Sequence, residues 1–298
     1  MRDFPLFLLY ALLKPLAMLP LAVLYRFSDG LYIIIYHIVR YRRKVVMDNM
    51  SACFPDKSRK ELEKYAREFY RNFADYIVET IKLLHISDTE IMQRMQFENV
   101  ELLEQLCAQG KSIAVYFSHC GNWEWAPSVT LNVRHTENTD YCQVYRPLKS
   151  KTFDALMLKL RGRFGSLSFP KKTVLRDLII RRKEGRLTVT GFMSDQKPSH
   201  GDTTFITMFM NRPTAFIGGT EILARKLGLA TVYWDMEKIS RGRYRIHCRL
   251  IDDGTFASEP GSITLKYAQM LQTTIMRNPP IWLWTHKRWK IPVTLPSP

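Results

Sequence analysis

With 298 residues, the chain is long enough to bury a sizeable core as one α/β domain with an N-terminal appendage. A formal charge of +16 implies an anionic partner, and lipid headgroups, an acidic carrier protein and nucleic acid all satisfy charge alone; no helix-turn-helix, zinc-finger or RNP-like pattern is present to read bases, which argues against nucleic acid. Five cysteines without a C-x-x-C or Cys/His cluster argue for a reducing compartment and against a metal centre, and the lack of a P-loop or a strand-borne G-x-G-x-x-G removes support for nucleotide cofactors.

The chain opens on an apolar stretch, Phe4 to Leu24, broken only by Lys14 and by prolines at 5, 15 and 20, and a second apolar run follows from Leu31 to Val39. A spanning helix takes roughly 20 apolar residues, so the first run crosses a bilayer imperfectly and the second is too short to cross alone. Arg40, Arg42, Arg43 and Lys44 come next, and such a cluster faces the cytoplasm beside anionic headgroups. Residues 1–45 therefore read as a hydrophobic membrane-associating helical segment with a basic flank, and 46–298 as the domain behind it. A cleaved signal peptide fits less well, because Asp3 and Lys14 disturb its charge pattern and no A-x-A site follows; a proline-broken buried hairpin is the remaining alternative.

Ser58-Arg59-Lys60-Glu61 is a capping box, and Leu62, Tyr65, Phe69, Phe73, Tyr76, Ile77, Ile81 and Leu84 recur behind it at helical spacing, which predicts a long helix whose aromatic stripe packs in the core, with a shallow membrane-facing surface as the alternative. Beyond residue 95 strands and helices alternate: strand 113–117, helix 122–131, strand 141–145, helix 152–163, a basic helix 173–184 and a strand 187–190. A helix at 218–228, strands at 230–235 and 244–251 and a helix at 262–277 complete the pattern. Alternation of this kind predicts an α/β fold with a mixed, largely parallel central sheet flanked by helices, which binds ligands beyond its strand carboxyl ends. His119, Arg146 and Asp195 each follow a predicted strand, so three polar motifs converge on one edge.

The densest chemistry lies in Ser118-His119-Cys120-Gly121-Asn122-Trp123-Glu124-Trp125. His119 falls at a strand end, Gly121 and Asn122 supply a turn and a helix N-cap, and Glu124 sits in the first turn of the next helix, where the dipole favours a carboxylate. A sharp reversal there predicts a hydrogen bond from His119 to Glu124. An imidazole so held takes a proton from a substrate hydroxyl as a general base, without a protein nucleophile. The spacing alone also fits a satisfied strand-end histidine and a solvated glutamate. Cys120 reads as a small spacer, since nothing marks an activated thiolate. Arg146, ahead of Pro147, is placed to hold a phosphate or carboxylate in its planar fork, or to make a surface ion pair. Asp195 and Gln196 orient an acceptor sugar or the Arg146 guanidinium, or close a turn. Arg176, Arg181, Arg182, Lys183 and Arg186 form either a docking face for an acidic carrier or a solvated helix face. Near the C-terminal end, Trp282 and Trp284 read as core packing, and Trp289, among Lys287, Arg288 and Lys290, as a membrane-interface contact.

Four segments resemble, in order, the landmarks of the bacterial lipid A late acyltransferase family, within the lysophospholipid and glycerolipid acyltransferases. His119-Cys120-Gly121-Asn122-Trp123-Glu124 is similar to its H-x-G-N-W-E signature, Val144-Tyr145-Arg146-Pro147 to its Y-R-P motif, and Ser194-Asp195-Gln196 to its D-Q motif. Asn278 to Lys290 resembles its aromatic and basic C-terminal signature, so the likeness covers nearly the whole chain. It departs at Thr203 to Pro213, where the family usually has a second aromatic, glycine-rich loop, and a different acyl-chain pocket is expected there. The resemblance implies a membrane-associated O-acyltransferase on the cytoplasmic side of a bacterial inner membrane, with His119 and Glu124 as the catalytic pair. It implies Asn122, Tyr145, Arg146, Asp195 and Gln196 as substrate-binding residues, with neither metal nor cofactor. The implied donor is a fatty acyl thioester of acyl carrier protein or coenzyme A, and the implied acceptor a hydroxyl of a lipid A precursor. Acyl transfer to a lysophospholipid, glycolipid or aminolipid is the neighbouring alternative, and a non-catalytic membrane lipid-binding protein is the alternative of another class.

Overall fold

The computed structural model describes residues 4–134 and 138–295. Two apolar helices, α1 (Phe4–Met18) and α2 (Leu21–Ile33), come first, and α2 runs on through a wide π-helical turn, Ile34–Ile38. After a corner follow α3 (Arg43–Cys53), α4 (Arg59–Lys82), α5 (Asp88–Arg94), β1 (Met95–Glu98), α6 (Glu101–Ala108) and β2 (Ile113–Phe117). A 3-10 stretch, Trp123–Leu131, leads to β3 (Thr139–Tyr145), α7 (Lys151–Arg161), β4 (Leu167–Pro170), α8 (Val174–Lys183) and β5 (Leu187–Met193). A hairpin of β6 (Thr204–Phe209) and β7 (Arg212–Ile217) precedes α9 (Gly219–Leu227), β8 (Ala230–Ser240), β9 (Arg243–Asp252) and α10 (Ser262–Arg277).

Among the described residues seven strands form one sheet in the order β1-β9-β8-β2-β5-β3-β4. β8 and β9 pair antiparallel because the two residues between them, Arg241 and Gly242, can only reverse the chain; the other neighbours run parallel. This is the mixed, largely parallel sheet that the alternation predicts. β2 is buried at every position, as a central strand covered on both faces must be, and its unbroken apolar run follows from that. Successive residues point to opposite faces. Ile113 and Val115 join the larger core with Tyr267 of α10, whereas Ala114 packs with Phe192, Val174 and Ala224 under α8 and α9.

The capping box at Ser58 closes as predicted, with Ser58 Oγ accepting from the Glu61 backbone and the Glu61 carboxylate accepting from the Ser58 backbone. The buried line on α4 is one step round from the predicted aromatic stripe: Leu62, Ala66, Phe69, Tyr70, Ala74 and Val78 are buried, and Tyr65, Phe73, Tyr76 and Ile77 only partly so. The shift arises because α4 is covered both by α2 and by the segment Pro279–Ile281. Trp282 and Trp284 are buried in the core, as expected. Trp289 is a correction: its indole donates to Thr214 Oγ1 at 2.7 Å and its ring meets Phe209 and Trp282, so it packs on the β6–β7 hairpin instead of facing lipid.

Candidate active site

β2, β5 and β3 are adjacent and parallel, with Phe117 opposite Met193 and Gln143 opposite Gly191, so their carboxyl ends present three loops side by side. The loop after β2 carries His119, the loop after β5 carries Asp195 and Gln196, and Tyr145 ends β3 with Arg146 directly after it. The first loop must turn at once, and Gly121 does so at φ +57°, in the left-handed region; a Cβ there would lie 3.0 Å from the Tyr244 ring and 3.1 Å from Met236. Glycine is thus required twice over, by backbone conformation and by space.

His119 Nδ1 lies 2.7 Å from Asp195 Oδ1, and the His119 backbone N–H donates to Asp195 Oδ2 at 3.0 Å. The Trp282 indole donates to the same Oδ2 at 2.9 Å. Burial alone would raise the Asp195 carboxyl, but the charge that His119 can carry and the hydrogen bonds from His119 and Trp282 outweigh it and hold the carboxyl at about 2. Asp195 is therefore a carboxylate at neutral pH, and it selects the tautomer with the proton on Nδ1. Nε2 is then the basic nitrogen. The Gln196 amide nitrogen lies 3.1 Å from it, at the place a hydroxyl proton would approach. Trp123 fixes the ring from the side, edge-on at 5.0 Å between centroids, and itself stacks on Tyr76 at 4.2 Å.

Two expected roles need correcting. Glu124 does not meet His119: its carboxylate takes Arg161 of α7 in a two-pronged pair, Nε to Oε2 at 2.8 Å and Nη2 to Oε1 at 2.6 Å. The chain after Gly121 continues as a 3-10 stretch containing Pro127, not as an α-helix, and this aims Glu124 across at α7 while His119 turns toward β5. The orienting carboxylate is Asp195, which the sequence placed with the acceptor or with Arg146. Asn122, expected among the substrate contacts, is fully buried and donates to Glu79 Oε2 at 2.8 Å. Glu79 also accepts from Tyr244 and Tyr25, each at 3.0 Å; burial pushes its carboxyl up while the Asn122 and Tyr244 hydrogen bonds oppose the rise. Asn122 thus supports the loop from beneath. Cys120 is fully buried, and burial pushes its thiol up, which leaves it a spacer.

His119 opens onto a cavity of about 550 Å³ that runs inward between the strand ends. Its depth is apolar and aromatic, with Val129, Tyr141, Val189, Phe192 and Trp234 among the walls, and Glu124 with Arg161 forms one polar flank. Tyr145, Arg146, Lys171, Lys172 and Gln196 are polar groups of the same lining, and Arg146 and Lys172 are exposed. A long apolar group fits the interior and an anionic group the basic rim. Three members of the basic run on and just after α8 are engaged within the protein. Arg186 Nη2 holds Asp140 at 2.5 Å, with Arg181 beside it at 3.5 Å, and Arg182 donates to the Leu227 carbonyl at 3.2 Å.

The C-terminal segment completes the loop around His119. The Leu283 N–H donates to the His119 carbonyl at 3.0 Å, and the Gly121 N–H donates to the Ile281 carbonyl at 2.9 Å. Cys120 and Trp282 form an isolated antiparallel bridge between these bonds. Trp282 is a functional-site residue that sequence reasoning assigned only to packing, and its signal was the tryptophan-rich run in which it lies. Arg161 carried no sequence signal, because nothing in its own helix points to a glutamate far back along the chain.

An α/β domain with a histidine–aspartate pair at the mouth of an apolar cavity, rimmed by basic groups, is equipped for transfer chemistry on a lipid. A family profile described as bacterial lipid A biosynthesis acyltransferase matches residues 1–291, and the chain belongs to that family and is an acyltransferase. It is similar to a lipid A biosynthesis palmitoleoyltransferase of Escherichia coli (strain K12), 23% identical over 257 residues, covering 85% of this chain and 80% of the relative. A lipid A biosynthesis lauroyltransferase of the same strain is 24% identical over 282 residues, covering 94% of this chain and 89% of the relative. A lipid A biosynthesis acyltransferase of Haemophilus influenzae is 21% identical over 194 residues, covering 65% and 59%.

Proposed function

We propose that this protein moves a fatty acyl group from an acyl thioester, carried by acyl carrier protein or coenzyme A, to a hydroxyl of a lipid A precursor at the cytoplasmic face of a bacterial inner membrane. The acyl chain lies in the cavity with its thioester carbonyl beside His119, and the acceptor phosphate meets Arg146 and Lys172 at the rim. The acceptor hydroxyl displaces the Gln196 amide from Nε2 and gives its proton to the imidazole as its oxygen attacks the carbonyl. Asp195 stabilises the imidazolium. As the tetrahedral intermediate collapses, the carbon–sulfur bond breaks, the new carbon–oxygen bond remains, and the departing sulfur takes the proton from Nε2. No group of the protein is acylated.

The observation that carries this reading is the pair His119–Asp195, with Nε2 directed into an apolar cavity whose rim is basic. Glu124 acts one step back, holding Arg161 in the cavity wall. The test is acyl transfer by detergent-solubilised protein from labelled acyl carrier protein, and separately from acyl coenzyme A, to lipid A precursors and lysolipids, with His119→Ala alongside. Transfer to a lipid A precursor that is lost in the variant is the expected result. Transfer to lysolipids alone would move the acceptor, and transfer that survives in His119→Ala would remove the base.

A further inference from the structure

Among the described residues one helix is long and apolar enough to cross a membrane; it runs from Leu21 to Ile38, 18 residues or about 27 Å at 1.5 Å per residue, close to the ~30 Å of a bilayer's hydrocarbon core. Crossing would need all of that length. Yet Leu21, Leu24, Ser28, Tyr32 and Tyr36 are buried, spaced three or four apart, so one face of the helix is covered by the protein from end to end.

The covered face is also polar where a lipid-exposed helix should not be. Ser28 donates to Asp75 Oδ1 at 2.7 Å, and Tyr25 donates to Glu79 Oε1 at 3.0 Å, both acceptors lying on α4. Arg241, in the β8–β9 turn, binds Asp29 at 2.7 Å and Asp75 at 2.7 Å. The fit at this turn is close: a Cβ on Gly242 would stand 1.8 Å from the Tyr25 hydroxyl. Lifting α2 off the domain would take Tyr25 from the buried Glu79 and Ser28 from the buried Asp75, part Asp29 from Arg241, and carry Arg26, Ser28 and Asp29 into hydrocarbon.

Both ends of the stretch are fastened to the same helix. At its beginning the Lys82 ammonium donates to the carbonyls of Ala17 at 3.2 Å and Leu19 at 3.0 Å; past its far end the Tyr70 hydroxyl donates to the Tyr41 carbonyl. Both Lys82 and Tyr70 belong to α4. The outer face is the reverse. Phe7, Leu12, Val23, Phe27, Ile34 and Ile38 are all exposed, on α1, α2 and the π-helical turn, and the basic corner Arg40 to Lys44 follows directly.

We propose that residues 4–39 lie in one leaflet of a phospholipid bilayer as a monotopic helical pair, docked on α4 along α2, and do not cross it. This rests on the membrane reading above, and adds that both ends of the apolar stretch stay on the side of the catalytic domain. The exposed apolar face enters the acyl region of that leaflet, and Arg40, Arg43 and Lys44 meet anionic headgroups. α1 also touches α7, where Lys159 lies over the Tyr10 ring at 4.1 Å, so the leaflet reaches the helix that supplies Arg161 to the cavity.

Thiol accessibility in membrane vesicles tests this directly, because all five native cysteines are buried and give a silent background. Three sites receive one reactive thiol each: a cysteine-bearing tag ahead of Met1, Pro20→Cys at the corner between α1 and α2, and Lys60→Cys on the exposed start of α4. A membrane-impermeant maleimide is applied to right-side-out and inside-out vesicles. The expected result is that the tag and Lys60→Cys label in the same orientation and that Pro20→Cys is never labelled from the opposite side. A tag labelled opposite to Lys60→Cys, or Pro20→Cys labelled from the far side, overturns the proposal. Protein that fails to sediment with the vesicles overturns the membrane reading itself, which separates the two failures.

Discussion

Asp195→Asn separates the geometry found here from the pairing expected from the sequence. The charge that His119 can carry and the hydrogen bonds from His119 and Trp282 hold the Asp195 carboxyl at about 2, below its ordinary 3.8, although burial opposes them, so the carboxylate is strongly coupled to these donors. If only the charge-assisted hydrogen bond to the imidazolium is lost, at ~1.5–3 kcal/mol, turnover falls about 10- to 100-fold; if the asparagine amide also donates to Nδ1 and forces the proton onto Nε2, the loss approaches the ~10⁴ typical of an acid–base triad stripped of its carboxylate. Initial rates with labelled acyl donor measure this, and the effect should appear in kcat with little change in acceptor KM, since Asp195 is buried behind the ring. Stability carries a second signature. A carboxyl whose folded value lies below its unfolded ~3.9 contributes fully above that pH, and the contribution is lost as pH falls toward 2. Denaturant midpoints of wild type should therefore decline through that window more than those of Asp195→Asn. Near-wild-type turnover in Asp195→Asn, together with abolished turnover in Glu124→Gln, would refute the argument and return Glu124 to the imidazole.

Glu124→Gln keeps part of the Arg161 contact, so it should lower turnover less than Asp195→Asn does, whereas Glu124→Ala leaves the partly buried Arg161 guanidinium without its carboxylate and should lower the denaturant midpoint by more than Glu124→Gln does. Cys120→Ala should retain most activity, and alkylation of the native protein should leave turnover unchanged; inactivation with labelling at Cys120 would point to a thiol mechanism. Glu79→Ala removes the common acceptor of Asn122, Tyr244 and Tyr25, and at ~1–3 kcal/mol for each buried donor left unpaired it should lower thermal stability markedly, with Glu79→Gln milder.

Periodicity made the sheet legible. The apolar run at 113–117, the capping box at Ser58 and the helices at 262–277 and 174–183 rest on local pattern, and local pattern survives folding. So does the rule that polar groups after parallel strands gather on one edge, which brought His119, Arg146 and Asp195 together. What failed was the pairing of partners within that edge. His119 and Glu124 are near in sequence, and nearness suggested contact; the 3-10 geometry after Gly121 and the side-by-side placing of β2 and β5 gave His119 to a residue 76 positions away instead. Asn122 and Trp289 misled in the same way, each carrying a polar or amphipathic side chain whose partner, Glu79 or Thr214, lies on an element that no spacing rule connects to it.

The bond from Trp282 to Asp195 sets an order of events during synthesis. The apolar helices and α4 leave the ribosome early and already hold some of one another's partners, Tyr25 on Glu79 and Ser28 on Asp75, whereas Arg241 and Tyr244 reach the same carboxylates only from far down the chain. The loop carrying His119 stays without its last indole donor, and without the strap from Ile281 and Leu283, until nearly all of the polypeptide has emerged. Contacts between distant parts of a chain form late. The loop that carries His119 is thus the last part of the site to be completed, and a shortened chain that ends before Trp282 lacks it.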